Sequence, residues 1–484
     1  MEKTATTQKK FKQSFSLLDA TMIVAGSMIG SGIFIVSADI TRNVGSAGWM
    51  ILIWLLTGLL TLIAALSYGE LSGMFPKAGG QYVYLKEAYN PLVGFLFGWS
   101  FFTVIQTGSI AAVGVAFSKF AAYIFPSLSE KNILFELGIL KISAAQITSI
   151  IVILLLTYIN TRGVKEGRAI QTTLTLIKLV SLFGLVIFGF WAANKNTWDA
   201  NWTTGFSLHK IDGNFLIPYS GMAVLGAIAG SMVGSLFSSD SWNNVTFIAG
   251  EIKNPKRNIG LSLFLGTLIV TVIYTATNFM YLSVIPLHNI AFAENDRVGM
   301  EAATIIFGDR GTNILAVLLM ISTFGCANGL ILAGARVYYT MAKDGLFFQR
   351  AAKLNSNAVP SNGLWIQSIW AAVLCLSGRY NDLLDYVIFT VLIFYILTIA
   401  GIFILRRKRP DLPRPYKAFG YPVLPFLYIL CAGTICVSLL IYKPQFTFPG
   451  LGIVLLGIPV YYFILKRGGA KETSLVSDSL QAFE

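Results

Sequence analysis

Apolar stretches of about 20 residues recur along the whole chain, separated by short polar segments. A helix needs roughly 20 apolar residues to cross a bilayer core of about 30 Å, so each stretch is long enough to span a membrane. The alternating pattern of a membrane β-barrel is missing. We therefore predict an all-α integral membrane protein with twelve spans, at residues 17–40, 49–73, 91–120, 144–160, 172–193, 215–249, 260–285, 313–342, 363–379, 382–405, 423–443 and 449–466.

The first apolar stretch contains the segment Gly26-Ser27-Met28-Ile29-Gly30-Ser31-Gly32-Ile33-Phe34. Three glycines and two serines make a continuous helix unfavourable, because each Gly costs about 1 kcal/mol relative to Ala. One interpretation is a spanning helix that is broken near its middle, with its backbone groups satisfied by protein, water or a solute. The other is a close helix–helix contact, since small residues also line packed membrane interfaces. This stretch alone leaves both interpretations open.

A short internal repeat favours the broken helix. Residues 26–31 read GSMIGS, and residues 230–235 of the sixth stretch read GSMVGS. Five spans separate the two copies, so the second unit is inverted relative to the first. Glycine-interrupted helices in corresponding positions of two inverted halves indicate a transporter binding site near the bilayer midplane.

A break in the first helix would offer two kinds of backbone group. The amides of Ser31, Gly32 and Ile33 would open the second half-helix, where free N–H groups and the helix dipole favour an anion. The carbonyls of Met28 and Ile29 would favour a cation. Together they predict recognition of a molecule with an adjacent carboxylate and ammonium group, which describes an α-amino acid.

The sixth stretch has its own candidate break at Phe237-Ser238-Ser239-Asp240-Ser241-Trp242-Asn243. Its polar residues suit caps and turns better than helix interiors. Asp240 either caps the second half-helix or faces the substrate, and the second role would favour a substrate with an additional positive charge. Lys178, predicted near the midplane of the fifth span, is either a snorkelling lysine or a functional one, and its depth favours function.

Charge and composition exclude several other classes of protein. The net charge of +13 comes mainly from Lys and Arg in the segments that the span order places inside, a positive-inside pattern rather than a nucleic-acid surface. The first apolar run lacks a convincing cleavage site, so we predict a retained helix. All four cysteines lie in apolar segments, which gives no external disulfide framework. No metal-ligand spacing, phosphate-binding loop or nucleophile–base constellation is present, so we expect no metal, no cofactor and no enzyme activity.

Several separated motifs resemble the amino acid–polyamine–organocation superfamily, and most closely its L-type amino acid transporters and their bacterial relatives. The resemblance covers nearly the whole chain, and its motifs are Gly26 to Phe34, Tyr68-Gly69-Glu70-Leu71, Pro76 to Tyr82, Trp242-Asn243, Glu251 to Asn258, Ala333 to Arg336 and Asp344-Gly345. It implies the LeuT-type fold, with two inverted five-helix repeats, two extra helices, broken first and sixth helices, and alternating access.

The resemblance also implies roles for individual residues. The amides of Ser31 and Gly32 would hold the substrate carboxylate, and the carbonyl of Met28 would meet its amine. Phe237 matches an aromatic gate, and Lys178 matches a lysine that takes the region of a sodium ion in sodium-independent members. The whole expected substrate site is Ser27, Met28, Ile29, Gly30, Ser31, Gly32, Phe237, Asp240, Ser241 and Asn243.

Two departures from the family pattern bear on substrate and partner. Ser239-Asp240-Ser241 replaces a frequent aromatic-Gly-Gly run, which leaves the side-chain preference open. The outer loop 123–143 has no Cys, so no covalent heavy-chain partner is expected.

The expected function is sodium-independent transport of L-amino acids in the cytoplasmic membrane, by exchange, with neutral and possible cationic substrates. A proton-coupled importer of amino acids or polyamines is the alternative, and a channel or membrane sensor lies outside this class. The expected organisation is a cytoplasmic amino-terminal segment (1–16), a first repeat (17–193), an external loop (194–214), an inverted second repeat (215–405), a cytoplasmic loop (406–422), helices eleven and twelve (423–466) and a cytoplasmic tail (467–484).

Overall fold

The computed structural model describes residues 13–137, 140–377 and 380–481. It is mostly helical, with two small antiparallel hairpins. The helices of the first half are α1 (Leu17–Met28), α2 (Gly32–Val44), α3 (Ala47–Met74), α4 (Gln81–Ala88), α5 (Pro91–Ser100), α6 (Gln106–Ile124), α7 (Ala144–Arg162), α8 (Val164–Trp191) and α9 (Lys195–Asn201). A π-helical turn, Phe101–Ile105, joins α5 to α6.

The second half of the chain is also mostly helical. Its helices are α10 (Ala223–Ser238), α11 (Asn244–Phe247), α12 (Pro255–Val284), α13 (Leu287–Ala291), α14 (Val298–Lys343), α15 (Ser361–Ser377), α16 (Tyr380–Lys408), α17 (Val423–Tyr442) and α18 (Pro444–Gln481). The hairpins are β1 (Ile133–Leu137) with β2 (Leu140–Ser143), and β3 (His209–Asp212) with β4 (Phe215–Pro218). Short 3-10 turns occur at Pro126–Leu128, Trp202–Thr204, Ala249–Glu251, Glu294–Asp296 and Gln349–Ala352.

Eight helices in the described part of the chain are long and apolar enough to cross a membrane. A ninth span is the pair α1 and α2, which are bent by 41° across a break of three residues. Three shorter apolar helices, at Ala223–Ser238, Ser361–Leu376 and Thr447–Phe463, fall below the length of a complete span. The prediction of a helical, multi-pass membrane protein is therefore confirmed.

Local sequence explains where several helices begin and end. Ser16 and Asp19 form a capping box at the start of α1, where the Ser16 hydroxyl accepts from the Asp19 amide at 3.2 Å. Gly45 ends α2 in the left-handed conformation (φ 66°), which Gly adopts without strain. The sixth span was expected to begin at residue 215, and this boundary is wrong. Phe215–Pro218 is the strand β4, and the helix begins only at Ala223.

The broken first span occupies the centre of the molecule. The half-helix α1 packs against α8, α12 and α14, and α2 packs against α10 and α14. The outer helices show the opposite pattern, because large apolar side chains point away from the protein on α8 (Leu176, Val180, Ile187) and α17 (Leu430, Val437, Ile441). Exposed apolar faces on long apolar helices indicate contact with lipid.

Candidate functional site

The first helix is broken between Met28 and Gly32. Ile29 has an extended backbone (φ −74°, ψ 98°), and Ser31 precedes the first residue of α2. The side chains of Ser27, Met28, Ile29 and Ser31 are all nearly inaccessible. The expectation of a broken first span is confirmed, and the break lies within the glycine-rich segment.

Lys178 of α8 reaches the carbonyl side of this break. Its Nζ donates to the carbonyl oxygens of Gly26 at 2.7 Å and Ile29 at 2.8 Å. The side chain is 2% exposed. These two carbonyls are left without their usual helical donors by the break, so the ammonium group satisfies acceptors that would otherwise be buried and unpaired. Lys178 is therefore not a snorkelling lysine.

The other two carbonyls at the end of α1 also accept from side chains. The Tyr274 hydroxyl of α12 lies 3.0 Å from the carbonyl oxygen of Met28 and 3.1 Å from that of Ser238. The Cys326 thiol of α14 donates to the carbonyl of Ser27 at 3.1 Å. Met28 and Ile29 were expected to offer carbonyls to a substrate amine. In this conformation those carbonyls are bonded within the protein, and their role toward a substrate stays a prediction.

The amide side of the break faces the sixth span. Gly32 and Ile33 open α2, so their N–H groups have no carbonyl one turn earlier within that helix. A Cβ added at Gly32 would overlap the side chain of Ser238, the last residue of α10. Tyr274 and Gly32 thus bring the first break and the end of α10 together.

The helix α10 ends at Ser238 and α11 begins at Asn244, so helical structure is interrupted over the segment where a break was expected. Ser241 has a positive φ of 65°, and α11 then runs for only four residues. The Tyr395 hydroxyl of α16 donates to Asp240 Oδ1 at 2.5 Å. Asn243 Nδ2 donates to Gln81 Oε1 at 3.0 Å. The polar side chains of this break are therefore held by α16 and α4.

Two small cavities adjoin Asp240. One, of about 20 Å³, is lined by residues of α3, α10, α16 and α17, and the other, of about 10 Å³, by residues of α4, α6, α11 and α16. Each has room for about one water molecule. Within the described chain, none of the residues 26–34 lines either cavity. Asp240 consequently faces α16 and not the first break.

Aromatic rings surround the same carboxylate. The Tyr68 ring lies 4.7 Å from that of Trp242 and 5.9 Å from that of Tyr395, both measured between centroids. The Trp242 and Tyr395 centroids are 5.2 Å apart. Asp240, which accepts from the Tyr395 hydroxyl, therefore lies beside a cluster of three aromatic side chains.

Sequence reasoning identified both breaks and Lys178 but missed Tyr274, Cys326 and Tyr395. Each of these three lies on a helix distant in sequence from the group it contacts, so no local motif marks it. Phe237 is half-buried beside the break, at the expected position. No group of three or more His, Cys, Asp or Glu side chains suited to a metal occurs in the described part of the chain.

Ion pairs at one end of the bundle involve three residues of the recognised motifs. Arg336 Nε donates to Glu251 Oε1 at 2.9 Å, and both side chains are 1% exposed. Glu70, fully buried, accepts from Arg406 at 2.7 Å and from the amide of Ala418 at 2.7 Å. Breaking such a buried pair leaves an uncompensated charge, so these contacts hold the loop after α16 and the turn after α11 in position.

Comparison with known proteins agrees with this architecture. The amino acid permease family model matches residues 15–465. The serine/threonine exchanger SteT of Bacillus subtilis (strain 168) is 30% identical over 459 residues, covering 94% of this chain and 98% of that protein. The large neutral amino acids transporter small subunit 2 of Oryctolagus cuniculus is 28% identical over 466 residues, covering 93% and 80%. The b(0,+)-type amino acid transporter 1 of Mus musculus is 28% identical over 482 residues, covering 98% and 91%.

The chain belongs to the amino acid permease family. It is a multi-pass membrane protein, and its family consists of transporters for amino acids. The three relatives are named as transporters or an exchanger, which agrees with the expected class of protein. The word "subunit" in one of these names refers to a larger assembly, so the expectation that this chain has no heavy-chain partner stays a prediction.

Proposed function

We propose that the protein exchanges L-amino acids across the cytoplasmic membrane without sodium, by alternating access. This proposal rests on the contact between the Lys178 ammonium group and the carbonyls of Gly26 and Ile29 at the first break. A tethered cation at backbone carbonyls does the work of a bound sodium ion and requires no ion gradient. The name of one relative, the serine/threonine exchanger, supports exchange as the mode of transport.

The proposed substrate site joins the two breaks. We assign the substrate carboxylate to the amides of Ser31 and Gly32, at the start of α2, because an anion is favoured there. The substrate amine then competes with Tyr274 for the carbonyl of Met28. The hydrogen bond from Tyr274 to Met28 would therefore break when the substrate binds and form again when it leaves.

The side-chain end of the site is proposed at the sixth break. Ser241 and Asn243 supply polar groups, and Asp240 supplies the charge that a cationic side chain would need. Since the present cavities beside Asp240 hold about one water each, a substrate side chain requires the sixth break to move away from α16. Neutral substrates, which the relatives' names include, need no such charge.

We propose the LeuT-type arrangement of twelve spans for the chain. Eight long helices, the broken pair and three shorter apolar helices add up to this number. The second repeat then begins at Ala223, and both termini are cytoplasmic. Cysteines introduced at Lys165 and Arg407 should resist a membrane-impermeant thiol reagent in sealed cells and react after lysis. Strong labelling of either one in sealed cells would overturn this orientation.

Transport in proteoliposomes tests the proposed function directly. Labelled serine, leucine and arginine should be taken up, and internal unlabelled amino acid should accelerate that uptake several-fold. Replacing sodium by choline should leave the rate unchanged. Uptake that depends on an imposed pH gradient and not on internal amino acid would favour the proton-coupled importer, and flux without saturation would indicate a channel.

A further inference from the structure

A cavity of about 440 Å³ lies apart from both helix breaks, at the end of the bundle where α6 ends and α7 begins. Its volume lies in the range typical of small-molecule sites. The wall comes from four parts of the chain: the end of α6, the loop from residue 126 to residue 132, the start of α7, and the segment before α14. The charged residues in the wall are Lys119, Glu130, Lys131, Glu294 and Arg297.

Arg297 contributes a guanidinium group to the wall of this cavity. Its guanidinium lies over the ring of Tyr123, with 5.6 Å between Cζ and the ring centroid. Its Nε is buried and has no hydrogen-bond partner in the protein. Burial lowers the pKa of Arg297, and the nearby Glu294 raises it, so the group is both desolvated and close to a carboxylate. An arginine always carries its charge, and its fork of donors matches a carboxylate.

Two acidic residues line the cavity together with the basic ones, and both lie close enough to Arg297 to raise its pKa. Glu130 and Glu294 line the same space as Lys119, Lys131 and Arg297. A simple anion would gain from the basic side chains and lose from the acidic ones. A molecule with a carboxylate and an ammonium group gains from both.

We propose that this cavity is a second, peripheral site for a zwitterionic amino acid, with its carboxylate at Arg297 and its ammonium group at Glu130 and Glu294. The choice of ligand rests on the proposed function, since a transported amino acid would be present at this face. The site lies on the outer side in the proposed orientation.

The segment that carries Arg297 also holds the second half of the broken first helix. Asp296 accepts from Arg42 of α2 at 2.6 Å, and Arg42 donates as well to the carbonyl of Ala291 at 2.7 Å. Asn295 and Asp296 have positive φ values of 54° and 62°, a backbone shape that few side chains favour. A ligand at Arg297 therefore acts next to the contact that fixes α2.

A cysteine at Ala122, which lines the cavity and is half-buried, provides the test. The rate of its reaction with a membrane-impermeant methanethiosulfonate is measured with and without L-serine, L-leucine or L-arginine. Each amino acid should slow the reaction several-fold, whereas acetate and leucine methyl ester should protect much less. Equal protection by acetate would make this a simple anion site, and absence of protection by all three amino acids would overturn the proposal.

Matched variants identify the donor and separate this site from the breaks. Protection should be lost in Arg297→Gln, reduced in Arg297→Lys, which keeps the charge without the fork, and retained in Arg310→Gln, an exposed arginine of α14 outside the cavity. It should also persist in Gly32→Val, which blocks the proposed central site. Protection that disappears in Gly32→Val would report the central site alone and contradict the peripheral one. A chain that fails to transport but keeps Arg297-dependent protection would refute only the proposed function.

Discussion

The two helix breaks differ in what satisfies them. At the first break the groups involved are backbone carbonyls, and they are bonded by Lys178, Tyr274 and Cys326 from three different helices. At the sixth break the carbonyl of Ser238 also accepts from Tyr274, but here polar side chains bond to one another as well, as in the contact between Asp240 and Tyr395. Backbone carbonyls and amides do not depend on residue identity. The first break therefore suits the carboxylate and ammonium groups that all amino acid substrates share. The groups at the sixth break depend on which residues are present, so this break suits the side chain of the substrate, which varies.

Lys178→Ala tests the first half of this comparison and should have the largest effect. It leaves the carbonyls of Gly26 and Ile29 buried without a donor, at a cost of about 1–3 kcal/mol each. Uptake of every substrate should fall at least about tenfold. Leu176→Ala, on the exposed face of the same helix, is the control and should transport normally. Near-normal uptake by Lys178→Ala, or a steep dependence of the parent on sodium, would rule out the proposed role.

Gly32→Val should be nearly as severe, and equally so for all substrates. The added side chain would overlap Ser238 and close the approach to the amides at the start of α2. Gly230→Val is the matched control, because the nearest atom to a Cβ at Gly230 is Lys443 Cε at 4.0 Å. Uptake and binding are measured at equal amounts of membrane-inserted protein. If the overlap with Ser238 is the cause, Gly32→Ala should transport better when combined with Ser238→Gly.

Asp240→Asn should have a smaller effect that depends on the substrate. Loss of the carboxylate should reduce arginine uptake several-fold relative to leucine uptake, because only arginine brings a second positive charge. Tyr395→Phe keeps the carboxylate and removes the bond of 2.5 Å, so its effect should be modest and similar for both substrates. Equal loss of both substrates in Asp240→Asn would identify a helix cap. Unchanged arginine uptake would remove Asp240 from the site.

The sequence predicted both breaks, but the repeat that supported them does not align with them. Residues 26–31 include the end of α1 and the break itself, whereas residues 230–235 lie wholly inside α10. The sixth break comes four residues later, at Ser239, where polar residues replace glycines. The sequence similarity of the two segments therefore identified corresponding spans but not the positions of their breaks. A glycine occurs both where a helix is broken and where two helices pack closely. Gly234, for example, packs against Val36 of α2.

The remainder of the site depends on contacts that local patterns cannot encode. Tyr274 and Cys326 meet the first break from positions about 250 and 300 residues away in sequence. The start of the sixth span was misplaced for a related reason. Phe215, Leu216 and Ile217 are apolar enough to read as helix, yet they pair with β3 in a hairpin. An apolar run can form a strand of a β-hairpin instead of a helix, because the backbone hydrogen bonds are satisfied in either structure.

The hydrogen bonds of the residues just before α1 limit the leakage of solutes through the transporter. The amide of Phe15 donates to the carbonyl of Glu251 at 3.0 Å, and the amide of Lys253 donates to the carbonyl of Phe15 at 2.9 Å, which ties the start of the first span to the turn that follows the sixth. Phe15 itself is fully buried. Because of these contacts, moving the start of the first span away from the turn after the sixth would break both hydrogen bonds. A state in which only one of the two spans has moved would let solutes leak across without coupling. Its formation carries the added free-energy cost of breaking these hydrogen bonds.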